Sequence, residues 1–228
     1  MGIDNRMVAA LGAAMVMAGG ASGTAVAATT LYGTTVDFTI DSPLGRFGEA
    51  SIASDSLVFT PNAVASSGPT DFYADGSSLY AGQTVHITVT AHSGYALTGF
   101  DLSESGGYAL AGGTVWIAGG LKAIDIEGTT ANQLTAEILG SPLVGSGGSW
   151  TAAASIALPP SGGWGGSDAV VNSVTLTLSN LLFAAGAAEI WKNGAAVAAV
   201  TAPVPEAETY LMMLAGLGVV SLFARRRA

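Results

Sequence analysis

The sequence predicts an all-β protein: an antiparallel β-sandwich of jelly-roll or Ig-like type, with an N-terminal signal peptide and a single hydrophobic helix at the C-terminus. Three observations carry this. Short stretches alternate apolar and polar residues with period two. Clusters of Gly, Ser, Pro and Asp punctuate them, and no convincing helical pattern occurs before residue 203. Period two with threonine on the outer face suits a sheet that buries one face only. Many such strands, each too narrow to bury its apolar face alone, point to two sheets packed together.

Met1 to Arg6 is a short polar start, and Met7 to about Ala28 is an apolar run closing with Ala25-Val26-Ala27. Small residues three apart after such a run are what signal peptidase accepts, so cleavage is expected after Ala27 or Ala28. The alternative, a retained N-terminal anchor, is opposed by the several glycines and the small-residue exit. The chain then divides into a signal peptide at 1–27, a β-sandwich domain at 28–202 and a C-terminal segment at 203–228.

Within the middle segment, Thr35–Asp41 sets Val36, Phe38 and Ile40 on one face. Gln83–Thr90 does so with Val85, Ile87 and Val89, and Ser173–Ser179 with Val174, Leu176 and Leu178. Ile124–Ile126 and Ile156–Leu158 are shorter versions, and Ser56–Thr60 is a compact apolar strand. Breaks are expected at Ser66–Thr70, Ser103–Gly107, Ser146–Ser149 and Pro159–Ser167, where turn-forming residues gather. Asn193-Gly194 supplies the positive φ angles of a two-residue turn, so Ala188–Lys192 and Ala195–Val200 are expected to form a hairpin.

Composition narrows the chemistry. The chain has no cysteine, so an exported form has neither a disulfide framework nor a thiolate site, and apolar burial must hold it together. Residues 28–202 contain thirteen acidic side chains against three basic ones, Arg46, Lys122 and Lys192. Such a surface repels nucleic acid, and no basic stripe exists to bind it. The acidic excess serves solubility or the holding of cations.

The sequence offers no catalytic residue, metal site or cofactor signature. His86 and His92 are six apart, a spacing that matches neither a strand nor a helix for joint metal ligation. Asp71-Phe-Tyr-Ala-Asp75-Gly76 resembles an acidic calcium loop only faintly, and Asp and Gly so arranged more often make a turn. There is neither a Gly-x-Ser-x-Gly elbow nor a phosphate loop. Among the four tryptophans, Trp116, Trp150 and Trp191 are expected in packing roles, Trp116 facing opposite to Val115 and Ile117. Trp164 lies in Ser161-Gly-Gly-Trp-Gly-Gly-Ser167, a segment offering no core, and is the candidate ligand contact through stacking on a sugar ring.

The C-terminal segment has three blocks in order. Pro205-Glu206-Ala207 leads into the apolar run Tyr210–Ala224, and Arg225, Arg226 and Arg227 follow. An apolar run stopped by arginines orients its basic end to the cytoplasm. Fifteen helical residues reach about 22 Å, short of the roughly 30 Å hydrocarbon core, so the expected span is thin and relies on snorkelling arginines. The segment Val204-Pro-Glu-Ala-Glu-Thr-Tyr-Leu-Met-Met-Leu-Ala-Gly-Leu-Gly218 with its arginine cluster resembles the PEP-CTERM sorting signal of Gram-negative bacteria. That family carries Pro-Glu-Pro before the helix, and Ala207 stands where its second proline usually is. The resemblance implies recognition by exosortase, a membrane protease-transpeptidase, after signal peptidase has acted. It further implies a transient inner-membrane stage, then the cell surface or extracellular matrix.

Two function classes follow. The chain is a non-enzymatic surface or matrix protein linked to exopolysaccharide and biofilm, or a module binding polysaccharide or another envelope component.

Overall fold

The computed structural model describes residues 28–61, 71–128, 132–160, 163–166, 169–204 and 207–225. The expected signal peptide lies outside the described residues, as do the break at Ser66–Thr70 and Pro205, Glu206, Arg226 and Arg227. Two antiparallel sheets pack face to face, and one helix follows them. The first sheet has the order β1 (Thr29–Tyr32), β2 (Val36–Ile40), β6 (Tyr80–Ala91), β12 (Ser173–Ala185), β8 (Thr114–Asp125) and β9 (Gln133–Glu137). The second runs β10 (Leu139–Gly140), β11 (Gly147–Ala157), β7 (Tyr95–Leu110), β13 (Ala188–Pro203), β4 (Ser56–Thr60) and β3 (Glu49–Ala53). A short strand, β5 (Tyr73–Asp75), also pairs with β13, and a 3-10 turn covers Gly45–Phe47.

The alternating stretches fold as their periodicity requires. Val36, Phe38 and Ile40 point inward on β2, as do Val85, Ile87 and Val89 on β6 and Val174, Leu176 and Leu178 on β12. Facing them are Leu57 and Phe59 of β4, Phe100 and Leu102 of β7, Trp150 of β11, and Ile190 and Val197 of β13. Each large aliphatic or aromatic side chain so enclosed contributes about 1.5–3 kcal/mol from the area it removes from water.

Three expected breaks are strand instead. At Ser146–Ser149 the chain is already in β11 from Gly147, pairing Gly147, Gly148 and Ser149 with Ala109, Tyr108 and Gly107 of β7. The other two lie inside longer strands. Ser103–Gly107 lies inside the sixteen-residue β7. Its glycines are there for space. A Cβ on Gly106 would stand 2.5 Å from the Trp150 ring and 2.0 Å from the Trp191 carbonyl oxygen, and one on Gly107 would stand 2.4 Å from the Trp191 ring. Each glycine lies directly opposite the tryptophan that covers it, Trp150 across from Gly106 and Trp191 across from Gly107. Glycine in a strand marks a close approach as readily as an end.

The other is Asn193-Gly194. No hairpin forms there, because residues 188–203 are one strand paired with β7 along nearly its whole length. Lys192 pairs with Gly106 and Gly194 with the adjacent Ser105, so Asn193 is the extra residue of a β-bulge. The partner decides the outcome: a sixteen-residue strand offers a ladder that two short hairpin arms would forgo. The bulge also shifts the phase of β13. Ala188, Ile190 and Lys192 face inward before it, and Ala195 and Val197 after it.

Gly106→Ala is expected to destabilise the fold by about 1–3 kcal/mol or more, since the added methyl meets backbone and a packed ring on the two sides; chemical denaturation measures it, and an unchanged midpoint contradicts this packing.

Candidate functional site

Trp164 does not lie exposed. It is 4 % accessible and belongs to the main apolar core, contrary to the reading of its loop as one without a core. The loop is held down by a carboxylate. Asp125, itself buried at the end of β8, accepts hydrogen bonds from the backbone N–H of Gly165 at 3.0 Å and of Glu127 at 3.0 Å. Gly165 has a φ of +74°, and a Cβ there would stand 2.5 Å from the Val170 carbonyl oxygen. The glycines therefore let the chain fold tightly enough to turn the indole inward. Local composition alone does not reveal this, because the anchoring carboxylate is 40 residues away.

The aromatic side chains that reach an outer face are others. On the first sheet, Phe183 of β12 lies directly between Tyr80 of β6 and Trp116 of β8. Trp116 and Phe183 stack with ring centroids 5.0 Å apart and planes 24° from parallel. Tyr80 beside them is 64 % exposed. The expectation that Trp116 opposes its neighbours holds: Val115 is buried and Trp116 is on the outer side, half-buried. Trp150 is the tryptophan at the centre of the core, its Nε1–H donating to the Trp191 and Gly107 carbonyls at 3.0 and 3.2 Å.

Between the sheets lies a polar cluster that strand periodicity foreshadows. On β12 the inward series Val174, Leu176, Leu178 continues to Asn180 before Leu182. On β7 Glu104 follows Phe100 and Leu102, and on β13 Lys192 follows Ala188 and Ile190. All three polar side chains are enclosed, Lys192 completely. Lys192 Nζ stands 2.8 Å from Glu104 Oε1, an ion-pair distance without hydrogen-bond alignment. The Asn180 amide donates to Glu104 Oε2, and its Oδ1 has no hydrogen-bond partner among the described residues. Phe72 and Phe47 cover the ammonium, with ring centroids 4.6 and 5.2 Å from Nζ. Burial pulls the Lys192 pKa down to about 8, against the opposing pull of Glu104.

The remaining candidates resolve into turns and surface pairs. The Asp75 carboxylate accepts from the Ser77 hydroxyl at 2.7 Å and from the Ser77 and Ser78 N–H groups, which holds its pKa down at about 2 and shapes a turn. His86 contacts the Thr177 hydroxyl across the strand pair at 3.1 Å. His92 Nε2 meets Asp37 Oδ1 at 2.7 Å, and this carboxylate raises the imidazole pKa.

Beyond β13 the chain enters α1 (Ala207–Arg225). Leu211, Met212, Met213, Leu214 and Leu217 are all exposed, so the domain does not cover this helix there. Ala207 is its first residue, and Arg225, also exposed, is its last. Residues 203–227 match the family model of the PEP-CTERM protein-sorting motif. The chain carries a PEP-CTERM tail. Such a tail implies an exported protein, anchored at a membrane by this segment and processed by exosortase. No curated protein matches the chain. Among the described residues no helix is long and apolar enough to cross a membrane. Glu208, Thr209 and Tyr210 occupy the first turn of α1, leaving Leu211–Ala224 as an apolar stretch of about 21 Å against a core of roughly 30 Å, the thin segment that the sequence leads one to expect.

Trp164→Ala is expected to cost about 3–5 kcal/mol of folding stability, the range for emptying a buried indole site; a denaturation midpoint equal to that of the parent contradicts a core role.

Proposed function

We propose that this chain is a non-enzymatic protein of the cell surface or extracellular matrix, delivered through its PEP-CTERM tail and acting there by its presence, in association with exopolysaccharide and biofilm. The observation that carries the reading is the match of residues 203–227 to the sorting motif, set behind an acidic, cysteine-free β-sandwich. Signal peptidase would remove residues 1–27, and exosortase would act near Pro205-Glu206-Ala207 while Arg225, Arg226 and Arg227 hold the tail on the cytoplasmic side. An apolar stretch shorter than the bilayer core suits a brief anchor, because mismatch makes a long stay costly. Mass spectrometry of both termini, from cell and matrix fractions, tests this. The matrix form is expected to begin at residue 28 or 29 and to lack α1. A matrix form ending at Ala228 overturns it.

A second reading, a module that binds polysaccharide, has lost its exposed Trp164 but gains support from the Tyr80–Phe183–Trp116 row on the outer face. Exposed aromatic rings offer apolar faces and edges to sugar rings without the cost of ordering long flexible side chains. On this reading the full-length protein binds the host's own exopolysaccharide, and Trp116→Ala weakens that binding at least tenfold in a pull-down titration. Equal binding by the parent and the variant removes it.

A further inference from the structure

We propose that Lys192 and Asn180 are the partners of an intramolecular isopeptide bond joining the two sheets, with Glu104 between them as the proton-transfer group. The geometry assigns each role. One carboxylate holds the lysine amine near Oε1 and the asparagine carboxamide on Oε2, so nucleophile, electrophile and base meet inside a closed site. Asn180 belongs to β12 of the first sheet, and Glu104 and Lys192 to β7 and β13 of the second. All three side chains are at least nine-tenths buried.

As an ion pair this cluster is a poor source of stability. Removing two charges from water is repaid only when geometry is good and every remaining polar group is satisfied. Here Lys192 Nζ, Glu104 Oε1 and Asn180 Oδ1 all lack a hydrogen-bond partner among the described residues. As reactants, the same three groups are well placed. Desolvation by burial favours the uncharged amine, and the pKa of about 8 leaves an appreciable neutral fraction near neutral pH. Exclusion of water protects the carboxamide from hydrolysis in favour of the amine.

The balance closes without a redox partner. Lys192 passes a proton to Glu104, and the freed lone pair on Nζ adds to Asn180 Cγ, forming the Nζ–Cγ bond. Glu104 protonates Nδ2, the Cγ–Nδ2 bond breaks, and ammonia leaves. The same carboxylate removes the second proton from Nζ and hands it to ammonia, so the charge that Lys192 carried departs as ammonium. The product is a neutral secondary amide beside a regenerated Glu104 carboxylate. An exported chain without cysteine would thereby gain a covalent tie that no reductant opens.

Digestion of the denatured full-length protein with a glutamate-specific protease tests the bond. Cleavage after Glu137, Glu189 and Glu206 separates the fragment 138–189, which carries Asn180, from 190–206, which carries Lys192. The expected result is one branched species lighter than the two fragments together by a single ammonia. Recovery of both fragments separate and unmodified from the folded parent protein overturns the proposal. Glu104→Gln is expected to leave the fragments unlinked, while Glu104→Gln protein that still forms the branched species overturns the role given to Glu104. A parallel digest with trypsin gives an independent readout: an acylated Lys192 resists cleavage, and full cleavage after it contradicts the bond.

Discussion

The burial of one face of each sheet against the other is what every other feature depends on. No disulfide assists it, since the chain contains no cysteine. The seam is made by β12, central in the first sheet, and by β7 and β13 of the second. Val174, Leu176, Leu178 and Leu182 on one side meet a surface built from Phe100, Leu102, Trp150 and Ile190 on the other. The seam is apolar along most of its length, and it is the dryness of that environment that makes a lysine, a glutamate and an asparagine at one point in it consequential. In water the same three groups would be ordinary. Enclosed, each must be matched or transformed, because an unmatched polar group in such a place costs far more than its hydrogen bond would return.

Much of the sandwich is legible in the sequence because period two is enforced by the seam. Val36, Phe38 and Ile40, or Val85, Ile87 and Val89, have no choice of face once one face is dry. What local reading misses depends on partners far away in the chain. Gly106 and Gly107 look like a turn until the indoles of Trp150 and Trp191 arrive over them, from 44 and 84 residues away. Asn193-Gly194 looks like a hairpin until β7 supplies a longer ladder, whereupon the pair becomes a bulge. Trp164 looks exposed among glycines until Asp125 pulls the loop in. At Gly106, Gly107 and Gly165 a glycine that would permit a turn instead permits a close approach, and local sequence does not distinguish the two.

The sites are less evenly legible. The tail is readable from its own residues, since its order of Pro-Glu, apolar helix and arginines is a linear signal that needs no fold. The buried cluster is readable only after the strands are extended by one step, which turns Asn180 from a polar residue near a strand end into an inward one between Leu178 and Leu182. Its companions come from strands longer than local sequence suggests: the expected break at Ser103–Gly107 hides Glu104, and the expected hairpin hides the inward turn of Lys192. The outer row of Tyr80, Phe183 and Trp116 requires the cross-strand register of three strands at once, which no single stretch contains.

The placement of β13 also fixes how the domain would respond to being pulled. This strand runs straight into the tail, ending at Pro203, with the Val204 N–H donating to the Gly94 carbonyl at 2.8 Å. It is an interior strand, bordered by β7 on one side and by β4 and β5 on the other. Tension applied through the C-terminus along its axis is therefore carried in shear, spread over many rungs at once. An edge strand in the same position would peel open one rung at a time. Pulled from its C-terminal end, the domain thus meets the force on a strand where the sheet resists most.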